Sequence, residues 1–164
     1  MQIRIAIQWV FAAVALLGLG YSYAQGADSA AVEAVMKKQF DRPDAPLKVA
    51  PVTIVNDLAI AGWLQGDRGG RALLLKGHGA WVITVCAGDG LKDIKVLEST
   101  GMSYSTAKQL AIEVVRSESK LSEETRQRFA SFEGFMKIDA SSAHGHGAHH
   151  DEPHSKPVKG STHP

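Results

Sequence analysis

Between Leu58 and Gly90 the chain reads LAIAGWLQGDRGGRALLLKGHGAWVITVCAGDG. Three apolar runs, Leu58–Leu64, Ala72–Leu75 and Trp81–Ala87, are separated by two glycine-rich breaks, Gly66-Asp67-Arg68-Gly69-Gly70 and Lys76-Gly77-His78-Gly79. Strand-length apolar runs joined by short Gly loops predict an antiparallel meander. The stretch also holds the single cysteine, Cys86, and two of the three tryptophans, Trp63 and Trp81. It is the sheet on which the remainder should pack.

Upstream, Lys48–Val55 predicts a first strand, which Pro51 restricts to an edge or bulged position because proline cannot donate to a ladder. Asn56-Asp57 suits a tight turn into the Leu58 strand. Before that, Val32, Val35, Met36 and Phe40 recur at helical spacing behind a cap at Asp28 or Ser29, which assigns Met36 to the core. Two prolines in Asp41-Arg42-Pro43-Asp44-Ala45-Pro46 end that helix. Downstream, Leu91–Ser99 predicts a short helix closed at Gly101. A longer one follows a cap at Ser103 or Ser105, with Ala107, Leu110, Ala111, Val114, Val115 and Leu121 along one stripe. Ser122-Glu123-Glu124 opens another, anchored by Phe129 and Phe132, and Phe135–Ile138 can return as a strand. The expected class is α+β: a curved antiparallel meander of four to five strands with helices on one face, nearest in element order to a cystatin-like shape.

The ends differ in character. Residues 1–24 show a basic start at Arg4, an apolar run from Ile5 to about Gly20 and small residues at Ser22 and Ala24, the order of a secretory signal peptide. The run falls short of the ~20 apolar residues of a comfortable span, so stable membrane insertion after cleavage is not expected; an uncleaved anchor is the alternative. Residues 25–139 are the expected globular domain, and 140–164 an expected disordered, histidine-rich tail with almost nothing to bury. The protein should be periplasmic or secreted.

Charge narrows the function. The formal net charge is +1, and no basic stripe with interleaved aromatics supplies the footprint that phosphate contacts require, so nucleic acid is not an expected partner. Gly66–Arg71 is no phosphate cradle, because no Lys-Ser/Thr follows and it leads into a strand, not a helix N-terminus. No nucleophile elbow, zincin motif or C-x-x-C pair is present, and the chain is not expected to be an enzyme.

Metal is the chemistry that remains. His144, His146, His149, His150, His154 and His163 each offer an imidazole nitrogen, interleaved with Gly145, Gly147, Asp151 and Glu152. Such a cluster suits copper, zinc or nickel, with copper(II) held most tightly by the general affinity order. A merely solubilising tail is the competing reading. Cys86 is either a small core residue or a thiolate ligand for copper(I), completed by Met102, Met136 or His78. Strict alternation places it on the Val82–Thr84–Cys86 side of its strand, away from Trp81, Ile83 and Val85. Asp89 and Asp93 read as turn residues.

The runs AIAGWLQGDRGGRALLL (Ala59–Leu75), W-x-I-x-x-CAGDGL (Trp81–Leu91) and FASFEGFMKID (Phe129–Asp139) resemble the copper uptake system-associated proteins, a family of small exported bacterial proteins. The similarity runs from about Val35 to Asp139 and is most specific at GW-x-QGDRGGRALL, with Trp63, Asp67, Arg68, Gly69, Gly70, Trp81 and Cys86 fitting the pattern. The resemblance implies periplasmic copper acquisition or handling, beside a copper chaperone or an outer-membrane copper receptor, and carries no ligand set. The resulting expectation is a copper-binding accessory protein that captures or buffers the ion. The alternatives are an interaction module docking a chaperone or receptor, and a general zinc or nickel buffer.

Overall fold

The computed structural model describes residues 25–138; the expected signal peptide and histidine-rich tail lie outside them. A helix, α1, covers residues 25–40. Four strands follow, β1 (Lys48–Val55), β2 (Leu58–Gln65), β3 (Arg68–Gly77) and β4 (Ala80–Ala87). A single 3-10 turn, Asp89–Lys92, leads into α2 (Ile94–Ser99), α3 (Tyr104–Glu118) and α4 (Glu123–Ala130), and a short β5 (Phe135–Lys137) closes the order. The strands form one antiparallel sheet in sequence order, β1-β2-β3-β4-β5. The protein is α+β. No described helix is long and apolar enough to cross a membrane.

The meander is built from three two-residue turns, each opening on a left-handed residue: Asn56 (φ 54°), Gly66 (φ 56°) and His78 (φ 50°). At His78-Gly79 both residues have positive φ, the geometry that matches the twist of paired strands. The expected five-residue loop at Gly66–Gly70 is therefore shorter. Gly69 and Gly70 belong to β3, and their missing side chains make room for packing: a Cβ at Gly70 would lie 2.8 Å from the Trp63 ring, and one at Gly69 2.7 Å from the Arg128 carbonyl oxygen. Pro51 sits where its missing donor costs least, on edge strand β1 beside a register shift between Val49 and Val52.

The helices occupy both faces, a departure from the one-sided arrangement expected. On one face Val32 and Met36 of α1 pack against Ala59, Ala61, Trp63, Ala72, Leu74, Trp81, Ile83 and Cys86. On the other, Leu97 of α2 and Ala107, Leu110, Ala111 and Val114 of α3 pack against Ile60, Leu73, Val85 and Ala87. The cause lies in β2: Ala59, Ile60 and Ala61 are all buried, so both alternations of the strand are apolar and both need cover. Burial of each large aliphatic side chain contributes about 1.5–3 kcal/mol, which makes the two-sided arrangement strongly favourable.

The helix starts are conventional. Asp93 accepts from Lys95 and Val96 N–H at α2, Ser103 from Thr106 N–H at α3, and Ser122 from Thr125 N–H at α4. Asp28 differs from expectation. It lies inside α1 and is drawn to the sheet, accepting from Lys76 Nζ at 2.6 Å and Trp81 Nε1 at 3.2 Å.

Candidate functional site

The site sits at the C-terminal end of α1, where that helix crosses the ends of β2 and β4. A cavity of about 320 Å³ opens there, with Met36, Leu47, Trp63, Cys86, Phe132 and Met136 in its apolar wall and Arg42, Arg68 and Asp41 among its polar lining. Its frame is fixed by hydrogen bonds that satisfy a helix end. Gln65 Nε2 donates to the Phe40 carbonyl at 2.7 Å and to the Ala45 carbonyl at 2.9 Å, and the Leu47 N–H donates to Asp41 Oδ1 at 2.6 Å. Trp63 meets Phe132 edge to face, with ring centroids 5.8 Å apart.

Cys86 reaches this cavity because of a bulge. The β3–β4 register shifts between Leu73 and Leu74, which pair with Val85 and Ile83 and leave Thr84 as the extra residue. Thr84 Oγ1 donates to the Leu73 carbonyl at 3.0 Å. The extra residue inverts the alternation beyond it, so Cys86 shares a face with Trp81 and Ile83, and Val85 lies on the other. Simple alternation, which grouped Cys86 with Val82 and Thr84, fails at that one residue.

Cys86 is 6% exposed, and no described group hydrogen-bonds its sulfur. Burial pushes the thiol up to about 11, so at neutral pH it is protonated and a poor nucleophile. Directly across the ladder stands Met136, since β5 pairs with β4 in the register Val85↔Lys137, Cys86↔Met136 and Ala87↔Phe135. Opposed residues in such a pair have Cα atoms about 4.5–5.5 Å apart and side chains on one face. Met36 enters from α1 and is fully buried. Three sulfur-bearing side chains thus line one cavity.

The other sequence candidates are placed elsewhere. Met102 packs on the α2–α3 face and lines a larger groove of about 870 Å³ with Leu75, Thr84 and Phe135; it cannot share a site with Cys86 across the sheet. His78 is exposed in the β3–β4 turn, more than about 20 Å along the strand from Cys86 at ~3.3 Å per residue. The proposed trio of Cys86, Met102 and His78 is therefore not brought together. His144, His146, His149, His150, His154 and His163 lie outside the described residues. Among the described residues, no three His, Cys, Asp or Glu side chains form a group able to hold a metal ion.

One feature the sequence reading missed is a buried ion pair. Arg71 is 0% exposed and Glu118 4% exposed. Arg71 Nε and Nη2 donate to the two Glu118 oxygens at 2.6 and 2.7 Å, and Nη1 donates to Asp89 at 3.1 Å. Its guanidinium stacks 5.5 Å from the Phe129 ring centroid. Partial burial pushes the Asp89 carboxyl up, but Lys92 and then Arg71 outweigh it and hold the group below the usual carboxylate range. The arrangement ties β3 to α3, α4 and the turn after β4.

No protein-family model, curated protein or solved structure gives a significant match to this chain. The cystatin-like comparison accordingly rests on element order.

Proposed function

We propose that the protein is a periplasmic, non-catalytic copper-binding accessory protein that captures or buffers copper for an uptake or handling system. The observation that carries this reading is the set of six histidines between His144 and His163, set among glycine, serine and acidic residues. Imidazole nitrogens suit copper, zinc and nickel, and at equal supply copper(II) is bound most tightly of the three. The non-catalytic part is supported by the described ionisable groups: Arg71 and Glu118 are committed to one another, and Cys86 is held as a thiol. The resemblance to the copper uptake system-associated proteins agrees with the reading independently of the histidines. The test is copper(II) stoichiometry on the untagged full chain and on a variant with all six tail histidines changed to Gln. The parent should retain several ions against a chelator of moderate strength and the variant none. Equal stoichiometry in the two would remove the proposal, and preference for zinc(II) or nickel(II) in direct competition would replace copper with a general buffer.

A second reading, an interaction module that docks a copper chaperone or receptor, is favoured by one observation. Leu75, Val82 and Phe135 are 47%, 43% and 41% exposed, and they lie on the same face of the sheet as α2 and α3, on the part those helices leave uncovered. Replacing Leu75 and Val82 with Ser leaves copper retention unchanged under the first reading, and abolishes delivery to a partner under the second.

A further inference from the structure

Cys86, Met36 and Met136 arrive at one cavity from three separate elements: β4, α1 and β5. Cys86 and Met36 belong to the buried cluster on this face, and the cavity opens beside it. The thiol is more than nine-tenths buried and has no described hydrogen-bond partner, yet it faces a space of about 320 Å³. A sulfur in a filled core would face side-chain carbon instead. Met136, on a three-residue edge strand, is 54% exposed and stands at the mouth, whereas Met36 is enclosed. One donor of the set is therefore open to solvent and two are interior, an arrangement with an entry path.

The geometry points to a binding site for one soft monovalent metal ion, with Cys86 as the thiolate ligand and Met36 and Met136 as thioether ligands. Donor chemistry decides the class of ion: thiolate and thioether sulfurs select copper(I) and its like, while thioethers hold magnesium, calcium or zinc poorly. Charge decides the valence. One thiolate neutralises one monovalent cation, and the resulting neutral complex can sit in an apolar wall. A divalent ion with the same donors would leave a net positive charge there, with Arg42, Arg68 and Asp41 as the charged residues of the lining, which an apolar environment penalises heavily. Binding forms a metal–sulfur bond at Cys86 and releases its thiol proton to solvent, with no change of oxidation state.

This inference deepens the copper-handling reading and rests on it only for the ion met in the cell; the site itself is separate from the tail histidines. The test uses the full chain carrying the six histidine-to-Gln changes, titrated with silver(I), and follows the methionine ε-methyl resonances. One equivalent should shift the methyls of Met36 and Met136 and leave Met102, on the opposite face of the sheet, as an internal control. Cys86→Ser should abolish retention of the ion against a thioether competitor. Met36→Leu and Met136→Leu should each weaken it by more than the ~10-fold that loss of an outer-shell partner alone costs. Unchanged amide spectra establish that these variants fold, and the methyl shifts in the unsubstituted pocket need no variant at all. Equal movement of Met102, unchanged binding by Cys86→Ser, or zinc(II) held as tightly as silver(I) would each overturn the assignment. Loss of copper(II) without loss of silver(I) on removing the histidines separates this site from the tail. Retention of copper(II) there would sink the tail reading and leave the sulfur site standing.

Discussion

On the α2–α3 face of the sheet, Arg71 is paired with Glu118 and Asp89, and Lys92 balances the second carboxylate. On the α1 face, Cys86 and two thioethers face a cavity with no described partner for the thiol. Both faces bury chemistry-bearing groups within one small domain, and they do so to opposite ends. A buried charge must be paired to be tolerated at all, so a complete pair reports on architecture. A buried thiol costs little to leave alone, so it can wait for a ligand at small expense to stability. The same burial that makes Glu118 structural leaves Cys86 available.

The sharpest way to break this contrast is to unpair the charges. Glu118→Ala leaves the buried Arg71 guanidinium with only the largely exposed Asp89 to oppose it, and should destabilise the domain by about 3 kcal/mol. Urea titration of parent and variant measures the difference. Replacing both partners, as Arg71→Met with Glu118→Leu, removes the uncompensated charge and should recover most of the loss. A double variant as unstable as the single would mean that the pair contributes packing, through Phe129 or Asp89, beyond compensation of charge.

The second test moves the strand that brings Met136 to Cys86. Gly88 follows Cys86 by two residues, and a Cβ there would lie 2.6 Å from the Phe132 carbonyl oxygen and 2.7 Å from that of Ala130. Those are backbone atoms at the end of α4 and in the α4–β5 connection, and they cannot rotate away. Gly88→Ala should therefore cost about 1–3 kcal/mol as overpacking, and lift β5 from the end of β4. Faster amide exchange confined to Phe135–Ile138, with α3 unaffected, is the expected pattern. Uniform loss of protection would show that the connection is part of the global fold instead.

Much of this architecture was legible because local signals agreed with the tertiary outcome. The three hairpins, the edge position of the Pro51 strand and the caps at Ser103 and Ser122 follow from turn, proline and hydroxyl chemistry acting within a few residues. What stayed hidden is long-range. The bulge at Thr84 has no sequence signature, and one extra residue was enough to move Cys86 to the opposite face. Gly69 and Gly70 read as loop because their reason for being glycine, close approach of the Trp63 ring and the Arg128 carbonyl, comes from residues distant along the chain. Arg71 and Glu118 are 47 positions apart, and nothing near either marks it as buried. Placement of α1 on its own face was readable in principle, since LAIAGWLQ is apolar on both alternations. Met36 is a core residue, as its stripe implied, and also lines the cavity, whereas Met102 lies on the other face.

A third prediction concerns the thiol itself. With Cys86 pushed up to about 11, about one molecule in a thousand carries the thiolate at pH 8, against about a quarter for an unfolded cysteine near 8.5. A more basic thiolate is also more nucleophilic, which returns about tenfold in disulfide exchange. The native chain should therefore react with an aromatic disulfide reagent at least ~20-fold more slowly than in denaturant, before any steric contribution. The sign follows the direction of the shift: raising the pH toward 11 closes the gap, and lowering it does not. Native labelling as fast as denatured labelling would place Cys86 in solvent and erase the difference between the two faces.

The smallest effect comes from the far end of α1. The Asp28 carboxylate is held below its ordinary value of 3.8 by the hydrogen bond from Lys76 and then by that from Trp81. A carboxyl depressed in the folded state contributes stability that is fully present above its unfolded value and disappears as the pH falls through the folded one. Asp28→Asn removes that contribution at neutral pH, so parent and variant should differ most near pH 7 and converge as the pH falls below the ordinary value through the folded-state one. Added salt should shrink the neutral-pH difference, because both partners are partly exposed. A difference that does not shrink at all as the pH falls below the ordinary value would mean that the charge of Asp28 is not what stabilises the fold. Silver(I) affinity should be the same in both proteins, since Gln65 and Asp41 fix the cavity end of α1 without help from Asp28.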